Sequence, residues 1–148
     1  FKLKQVIWAI TRKNPLKKKS NTSLQQRIKG CKKIIKKTNH IKIKFYENII
    51  KSNKTISLIN HLSKNKKDEI YFLMGADNLI NFHKWTKWKE IIKLSKILVF
   101  DRNGYKSKAL KSKTFKYMDK NYHKFIKFKK INVSSSQIRK ICYSKNIV

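Results

Sequence analysis

The stretch Ile70-Tyr-Phe-Leu-Met-Gly-Ala-Asp-Asn-Leu-Ile-Asn-Phe-His-Lys-Trp-Thr-Lys-Trp88 constrains the fold most. It opens with a short run of aliphatic and aromatic residues, Ile70 to Met74. That run has the length and character of a strand buried on both faces, as in a parallel sheet. Gly75 and Ala76 follow and are small enough for a ligand or another backbone to come close. Asp77 and Asn78 are good N-cap types, and Leu79 and Phe82 begin an apolar stripe at helical spacing. A strand ending at a small residue, with a capped helix next, places polar groups at the carboxyl edge of a sheet. In open α/β sheets ligands bind at that edge. Trp85 and Trp88 come next, among Lys84, Lys87 and Lys89. Aromatic rings and cations suit a nucleotide, although tryptophans at this spacing suit a core equally well.

The flanking chain alternates strand and helix signals. Gln5 to Ile10 is apolar and β-rich and predicts a buried strand, with a loop fixed by Asn14-Pro15 after it. Ser23 caps a predicted helix whose apolar face is Leu24, Ile28, Cys31 and Ile35. Ile41, Ile43 and Phe45 or Tyr46 alternate with lysines, predicting a strand ending at Glu47. Residues 48–54 read as loop, and Thr55 opens a short helix carrying Ile56, Ile59 and Leu62. Trp88 to Leu94 completes the helix that follows the central strand. Ile97 to Phe100 predicts a second buried strand, ending in Asp101-Arg102-Asn103-Gly104-Tyr105. Residues 106–127 mix lysines with Phe115, Tyr117, Tyr122 and Phe125 and are expected to be helical. Phe128 to Val133 predicts the last strand. Ser134-Ser-Ser-Gln-Ile-Arg139 then matches a helix start with a capping box. Its free N–H groups, hydroxyls and Arg139 make an anion site. The whole pattern predicts a Rossmann-like α/β domain with a mostly parallel sheet, in one domain over residues 1–148.

Several of these segments resemble the bacterial nicotinate-nucleotide adenylyltransferases. Phe72-Leu-Met-Gly-Ala-Asp-Asn-Leu79, followed by Phe82-His-Lys-Trp85 and Trp88, is similar to that family's central motif. Val133-Ser-Ser-Ser-x-Ile-Arg139 resembles the second signature of the wider nucleotidyltransferase superfamily. The strand leading to Asn14-Pro-Leu-Lys17 and the strand leading to Arg102 also have counterparts. The resemblance implies transfer of AMP from ATP to nicotinate mononucleotide, giving nicotinate adenine dinucleotide and pyrophosphate, with Mg2+ travelling on ATP. It implies that Gly75, Asp77, Ser135, Ser136 and Arg139 bind ATP. It implies that Trp85, Ser52, Asn14, Lys17 and Arg102 bind the acceptor. Ser52 is carried over from a Tyr-Thr-x-x-Thr motif in which Lys51 replaces the tyrosine.

The family's first signature, Gly-x-Phe-x-Pro-x-His-x-Gly-His, has no counterpart in these residues, so no catalytic side chain is identifiable. The chain, which begins at Phe1, is read as lacking its start. Residues 1–148 alone are expected to be inactive and poorly folded, with a slot left in the sheet.

Charge bears on the partners. Thirty-nine lysines and arginines stand against seven acidic residues, a formal net charge of +32. Such a balance raises nucleic acid as a partner. Only Arg12, Arg27, Arg102 and Arg139 are arginines, however, and base and phosphate readers favour the bidentate guanidinium. The lysines come with much Asn and Ile and with three glycines and one proline, the mark of A/T-rich codons. The charge is therefore read as solvated faces that still draw in anionic substrates, with nucleic-acid binding as the alternative. A sister enzyme using nicotinamide mononucleotide is the other. Cys31 and Cys142 lie in no metal-ligand pattern and fit reduced thiols in a cytoplasm. No apolar run reaches membrane-spanning length, and no metal ligands or oligomeric state can be read.

Overall fold

The computed structural model describes residues 3–12, 22–65, 67–118 and 123–126. They fall into two compact units, Phe1–Ile70 and Tyr71–Val148. Every described strand pair is parallel, and the first four strands are each followed by helix, so the architecture is Rossmann-like α/β.

In the first unit β1 (Val6–Ala9) pairs with β2 (Ile41–Lys44), in register from Val6↔Ile41 to Ala9↔Lys44. Ile41 and Ile43 are half-buried while Lys42 and Lys44 are exposed, the period-2 alternation of a one-sided strand. Trp8 is 38% exposed and Ile10 is buried. The strand predicted to be buried is thus only partly so, with β2 as its one neighbour among the described residues.

Helix α1 (Leu24–Ile35) joins the two strands. Ser23 accepts a hydrogen bond from the Gln26 N–H at 3.2 Å, and the Gln26 side chain accepts from the Ser23 N–H at 2.9 Å. This reciprocal capping box satisfies two N–H groups that the helix cannot satisfy itself. Ser23→Ala is expected to cost about 1 kcal/mol, read as a lower denaturant midpoint with an unchanged slope.

Helix α2 (Glu47–Ile50) occupies part of the predicted loop. It is one turn, made by Ile49 and Ile50 N–H groups donating to the Tyr46 carbonyl. A single turn is too short to show periodicity in a sequence, which is why residues 48–54 read as irregular. Helix α3 (Thr55–Leu62) starts where expected and buries Ile56 and Ile59.

The second unit holds β3 (Tyr71–Gly75), α4 (Ala76–Asn81), a 3-10 turn (Phe82–Lys84), α5 (Trp88–Leu94) and β4 (Lys96–Phe100). Helices α6 (Lys106–Leu110) and α7 (Lys113–Tyr117) and strand β5 (His123–Ile126) follow. The strand order is β3-β4-β5. The central strand β4 is buried on both faces: Ile97, Leu98 and Val99 are at most 3% exposed. The edge strand β3 departs from its expected burial, with Leu73 38% exposed. Ala76, Leu79, Phe82, Ile91 and Ala109 are fully buried and form the core with β4.

Strand β5 falls inside the segment expected to be helical. The spacing of Phe115, Tyr122 and Phe125 suits a helix, but β4 has a second edge whose backbone groups demand partners. Residues 123–126 supply them, and Phe125 meets Phe115 of α7 edge-on at 5.8 Å. Long-range pairing overrides the local pattern here. The strand predicted at Phe128 to Val133 and the capped helix after it lie outside the described residues.

Candidate functional site

Register builds the site of the second unit. Gly75 of β3 stands level with Phe100 of β4 in a parallel ladder. Two residues beyond each, Asp77 and Arg102 therefore leave the sheet from the same carboxyl edge. The Arg102 Nη1 donates to the Asp77 Oδ2 at 2.5 Å. The Asp77 side chain is 25% exposed and that of Arg102 47%, so a ligand can reach both. Arg102 is steadied on its other side by the Tyr105 ring, 5.8 Å from its Cζ. Tyr105 is brought back by a turn in which its N–H donates to the Arg102 carbonyl and Gly104 takes φ +78°. A side chain at Gly104 would be strained in that conformation.

Asp77 was expected to cap α4. Gly75 holds the cap position instead, without a side-chain bond, and Asp77 lies in the first turn with its carboxylate turned to Arg102. Gly75 is extended (φ −79°, ψ 154°), a conformation open to any residue. The constraint on it is space, since a Cβ there would stand 2.5 Å from the Asp77 Oδ1.

Trp85 sits just after the 3-10 turn, its N–H donating to the Phe82 carbonyl. Its ring meets Phe82 edge-on at 5.2 Å and Phe72 at 6.2 Å. The half-buried indole keeps a buried Nε1 with no hydrogen-bond partner among the described residues. The His83 Nδ1 is in the same position, while the His83 N–H donates to the buried Thr114 hydroxyl at 3.1 Å. Trp88 instead packs edge-on against Tyr117 at 4.8 Å, with the Lys89 ammonium over both rings.

In the first unit an open cleft of about 660 Å³ lies where β1 and β2 end. Arg12, Glu47, Asn48, Lys51, Ser52, Asn53 and Lys54 line it. Arg12 follows β1 and sends Nη2 to the Asn48 Oδ1 at 2.7 Å, while its guanidinium stacks on Phe45 at 5.4 Å. The Arg12 N–H donates to the Glu47 carboxylate at 3.1 Å. From α1, Arg27 donates through both terminal nitrogens to the Thr11 and Arg12 carbonyls at 2.6 Å each, fixing the end of β1. The Ser52 Oγ accepts from the Lys54 N–H at 3.2 Å, a local turn that leaves the hydroxyl hydrogen free for a ligand. Lys51 ends α2 in the left-handed region (φ 46°, ψ 36°), at a cost of roughly 1–2 kcal/mol for a residue with a Cβ.

The structure thus brings Gly75, Asp77 and Arg102 together, sets Trp85 on an aromatic bed, and puts Ser52 in a polar cleft. Asn14, Lys17, Ser135, Ser136 and Arg139 lie outside the described residues. Sequence reasoning passed over Arg12, Arg27 and Asn48. Scarcity was the available signal: in a chain whose default cation is lysine, each described arginine makes a directed side-chain hydrogen bond.

Among the described residues no group of three or more His, Cys, Asp or Glu side chains converges to hold a metal ion. No helix among them is long and apolar enough to cross a membrane.

Comparison with known proteins gives the family and the fold. The Cytidylyltransferase-like family matches residues 1–141. A relative from Pelagibacter ubique (strain HTCC1062), named a probable nicotinate-nucleotide adenylyltransferase, is 64% identical over 141 residues, covering 95% of this chain and 78% of its own. One of the same name from Aquifex aeolicus (strain VF5) is 34% identical over 142 residues, covering 93% and 84%. A solved structure of the Plasmodium falciparum nicotinic acid mononucleotide adenylyltransferase complexed with NaAD superposes with a TM-score of 0.72 at 19% identity, over 93% of this chain and 69% of that one. The chain belongs to the Cytidylyltransferase-like family and, within it, to the nicotinate-nucleotide adenylyltransferases.

Proposed function

We propose that this protein joins the AMP moiety of ATP to nicotinate mononucleotide, making nicotinate adenine dinucleotide and pyrophosphate for NAD biosynthesis. The observation that carries the reading is the level ending of β3 and β4, which sets Gly75, Asp77 and Arg102 at one sheet edge. The family match runs across both units and supports treating residues 1–148 as one nucleotidyltransferase domain.

In the proposed reaction a 5′-phosphate oxygen of the mononucleotide attacks the α-phosphorus of ATP. A new P–O bond forms as the bond to the β-bridging oxygen breaks, and pyrophosphate leaves with that electron pair. No covalent enzyme intermediate is required. The rate then depends on holding two anions in line and balancing charge on the departing group. Gly75 admits the adenosine side against the backbone, and Asp77 receives it with its carboxylate held by Arg102. The Arg102 fork faces the acceptor. Ser135, Ser136 and Arg139 hold the ATP phosphates, and Asn14 and Lys17 flank the acceptor. Trp85 is assigned to the pyridine ring and Ser52 to acceptor binding. A divalent cation, Mg2+ in this reading, would arrive on the ATP phosphates and neutralise charge there. We assign the enzyme to the cytoplasm, a reading supported by a free Cys31 thiol.

The test is pyrophosphate release from ATP and Mg2+, using the protein with any coding sequence upstream of Phe1 included. Release that requires nicotinate mononucleotide supports the reading. Release with nicotinamide mononucleotide alone would assign the other acceptor, and folded protein inert with both would overturn it. The place of Trp85 has its own check. In a Trp8→Phe/Trp88→Phe chain, nicotinate mononucleotide is expected to quench the remaining indole fluorescence. An unchanged spectrum at saturating acceptor would remove Trp85 from the pyridine site.

A further inference from the structure

We infer that Lys51, with Arg12 beside it, is the cation by which this enzyme prefers the carboxylate of nicotinate to the neutral carboxamide of nicotinamide. The inference rests on the acceptor reading of the Ser52 cleft given above. Its own evidence is the charge and geometry of that cleft.

Arg12, Lys51 and Lys54 line the cleft against one carboxylate, Glu47. Glu47 is engaged by the Arg12 N–H, which draws part of its charge toward the end of β1. Arg12 is held on two sides, by Asn48 at Nη2 and by Phe45 under the guanidinium plane. A cation so fixed keeps its remaining N–H groups aimed without losing further side-chain freedom. Lys51 pairs with no carboxylate among the described residues.

The backbone at Lys51 singles this lysine out. Among the described residues two that are not glycine take positive φ, Lys51 and Lys87. At Lys87 the side chain has local work, since its ammonium reaches Glu90 at 3.2 Å at the start of α5. Lys51 has the same unfavourable backbone, at a position where glycine would be free of strain, and no such partner. Strained residues concentrate at binding sites because the side chain they present has a use there. Ser52 follows directly, its Oγ fixed by the Lys54 N–H. Hydroxyl, ammonium and guanidinium thus line one cleft, a donor set suited to a planar carboxylate. A carboxamide offers one acceptor oxygen without charge and adds an NH2 donor that faces cations unfavourably.

The test compares nicotinate and nicotinamide mononucleotides on the unaltered protein, Lys51→Gly and Lys51→Arg. Glycine suits the left-handed position, so Lys51→Gly is expected to keep or raise the Tm. It is expected to lower the nicotinate-to-nicotinamide ratio of kcat/KM by about tenfold, the scale of one charge-assisted hydrogen bond at an open site. The loss falls on the nicotinate KM, and the nicotinamide value stays within about twofold. Lys51→Arg is expected to keep the ratio. The same ratio is read by calorimetric binding of both mononucleotides, which needs no turnover. A protein that binds selectively through Lys51 but releases no pyrophosphate would therefore refute the reaction and leave this inference standing. A ratio unchanged in Lys51→Gly, by turnover and by binding, would overturn the inference. So would an equal loss for both acceptors, which would assign Lys51 to the 5′-phosphate they share.

Discussion

Gly75→Ala is expected to lower turnover on the order of 10²-fold while leaving the fold in place. The added methyl would stand 2.5 Å from the Asp77 Oδ1, inside any permitted contact. What lies in its way is the end of a side chain, so the carboxylate moves and the backbone stays. Gly75 is already extended, and alanine adopts that conformation freely. Alanine is a slightly poorer N-cap than glycine, which holds the stability change to under about 1 kcal/mol. Displacing Asp77 breaks its contact with Arg102 and turns out of line two charges to which the proposed function gives ligand contacts. A displacement of about 1 Å at a positioning residue is enough for a hundredfold loss. Paired measurements of kcat/KM and denaturant midpoint check this. A variant with full activity, or one that loses activity only by unfolding, would show that the close approach at Gly75 does not set the site.

The largest stability effect is expected at Phe82. Its side chain is fully buried, between Phe72 at 6.2 Å and Trp85 at 5.2 Å. Phe82→Ala removes a ring and leaves a cavity that a surrounding helix and sheet cannot fill, at a cost of about 3–5 kcal/mol. For a domain of ordinary stability that is a large share of the total. The same change removes the edge contact that orients Trp85, so acceptor binding falls even in protein that remains folded. Phe82→Leu keeps much of the volume and separates the two effects. It is expected to recover most of the stability, and less of the acceptor affinity, because leucine cannot supply the aromatic contact.

Much of this fold could be read from the residues because the decisive signals were long or chemically sharp. The apolar run before Gly75, the helix from Trp88 to Leu94 and the strand ending at Phe100 stand where their patterns put them. Ser23 marked the start of α1, since a serine there accepts from one of the helix's own N–H groups. The misreadings have a common cause in tertiary pairing. Strand β5 exists because β4 has a free edge, which no local window contains. Asp77 left its expected cap because Arg102, 25 residues on, offers a stronger partner than a backbone N–H. Leu73 and Trp8 are exposed because each strand has one described neighbour, and burial on both faces requires flanking layers that hydrophobicity alone does not reveal.

The site was legible where it depends on residues just after strands. Arg102 follows the strand predicted to end at Phe100, and it stands at the carboxyl edge of the sheet. The cleft at Ser52 was harder to find. It is built on a one-turn helix and a left-handed lysine, neither of which has a sequence signature in a chain where lysine is everywhere. Arginine carried the information instead. Arg12 and Arg27, drawn from a set of four, mark the end of β1 by directed hydrogen bonds that lysine could not reproduce.

The central claim is adenylyl transfer in which an oxygen of the acceptor phosphate bonds to the α-phosphorus of ATP and pyrophosphate leaves. The most direct measurement uses nicotinate mononucleotide labelled with 18O on its non-bridging phosphate oxygens, with unlabelled ATP and Mg2+, followed by mass spectrometry of the products. The account predicts nicotinate adenine dinucleotide that keeps all of the label, with one labelled oxygen now bridging the two phosphates, and unlabelled pyrophosphate in equal amount. Label in the pyrophosphate, ADP in place of it, or folded protein that forms no dinucleotide would contradict the account.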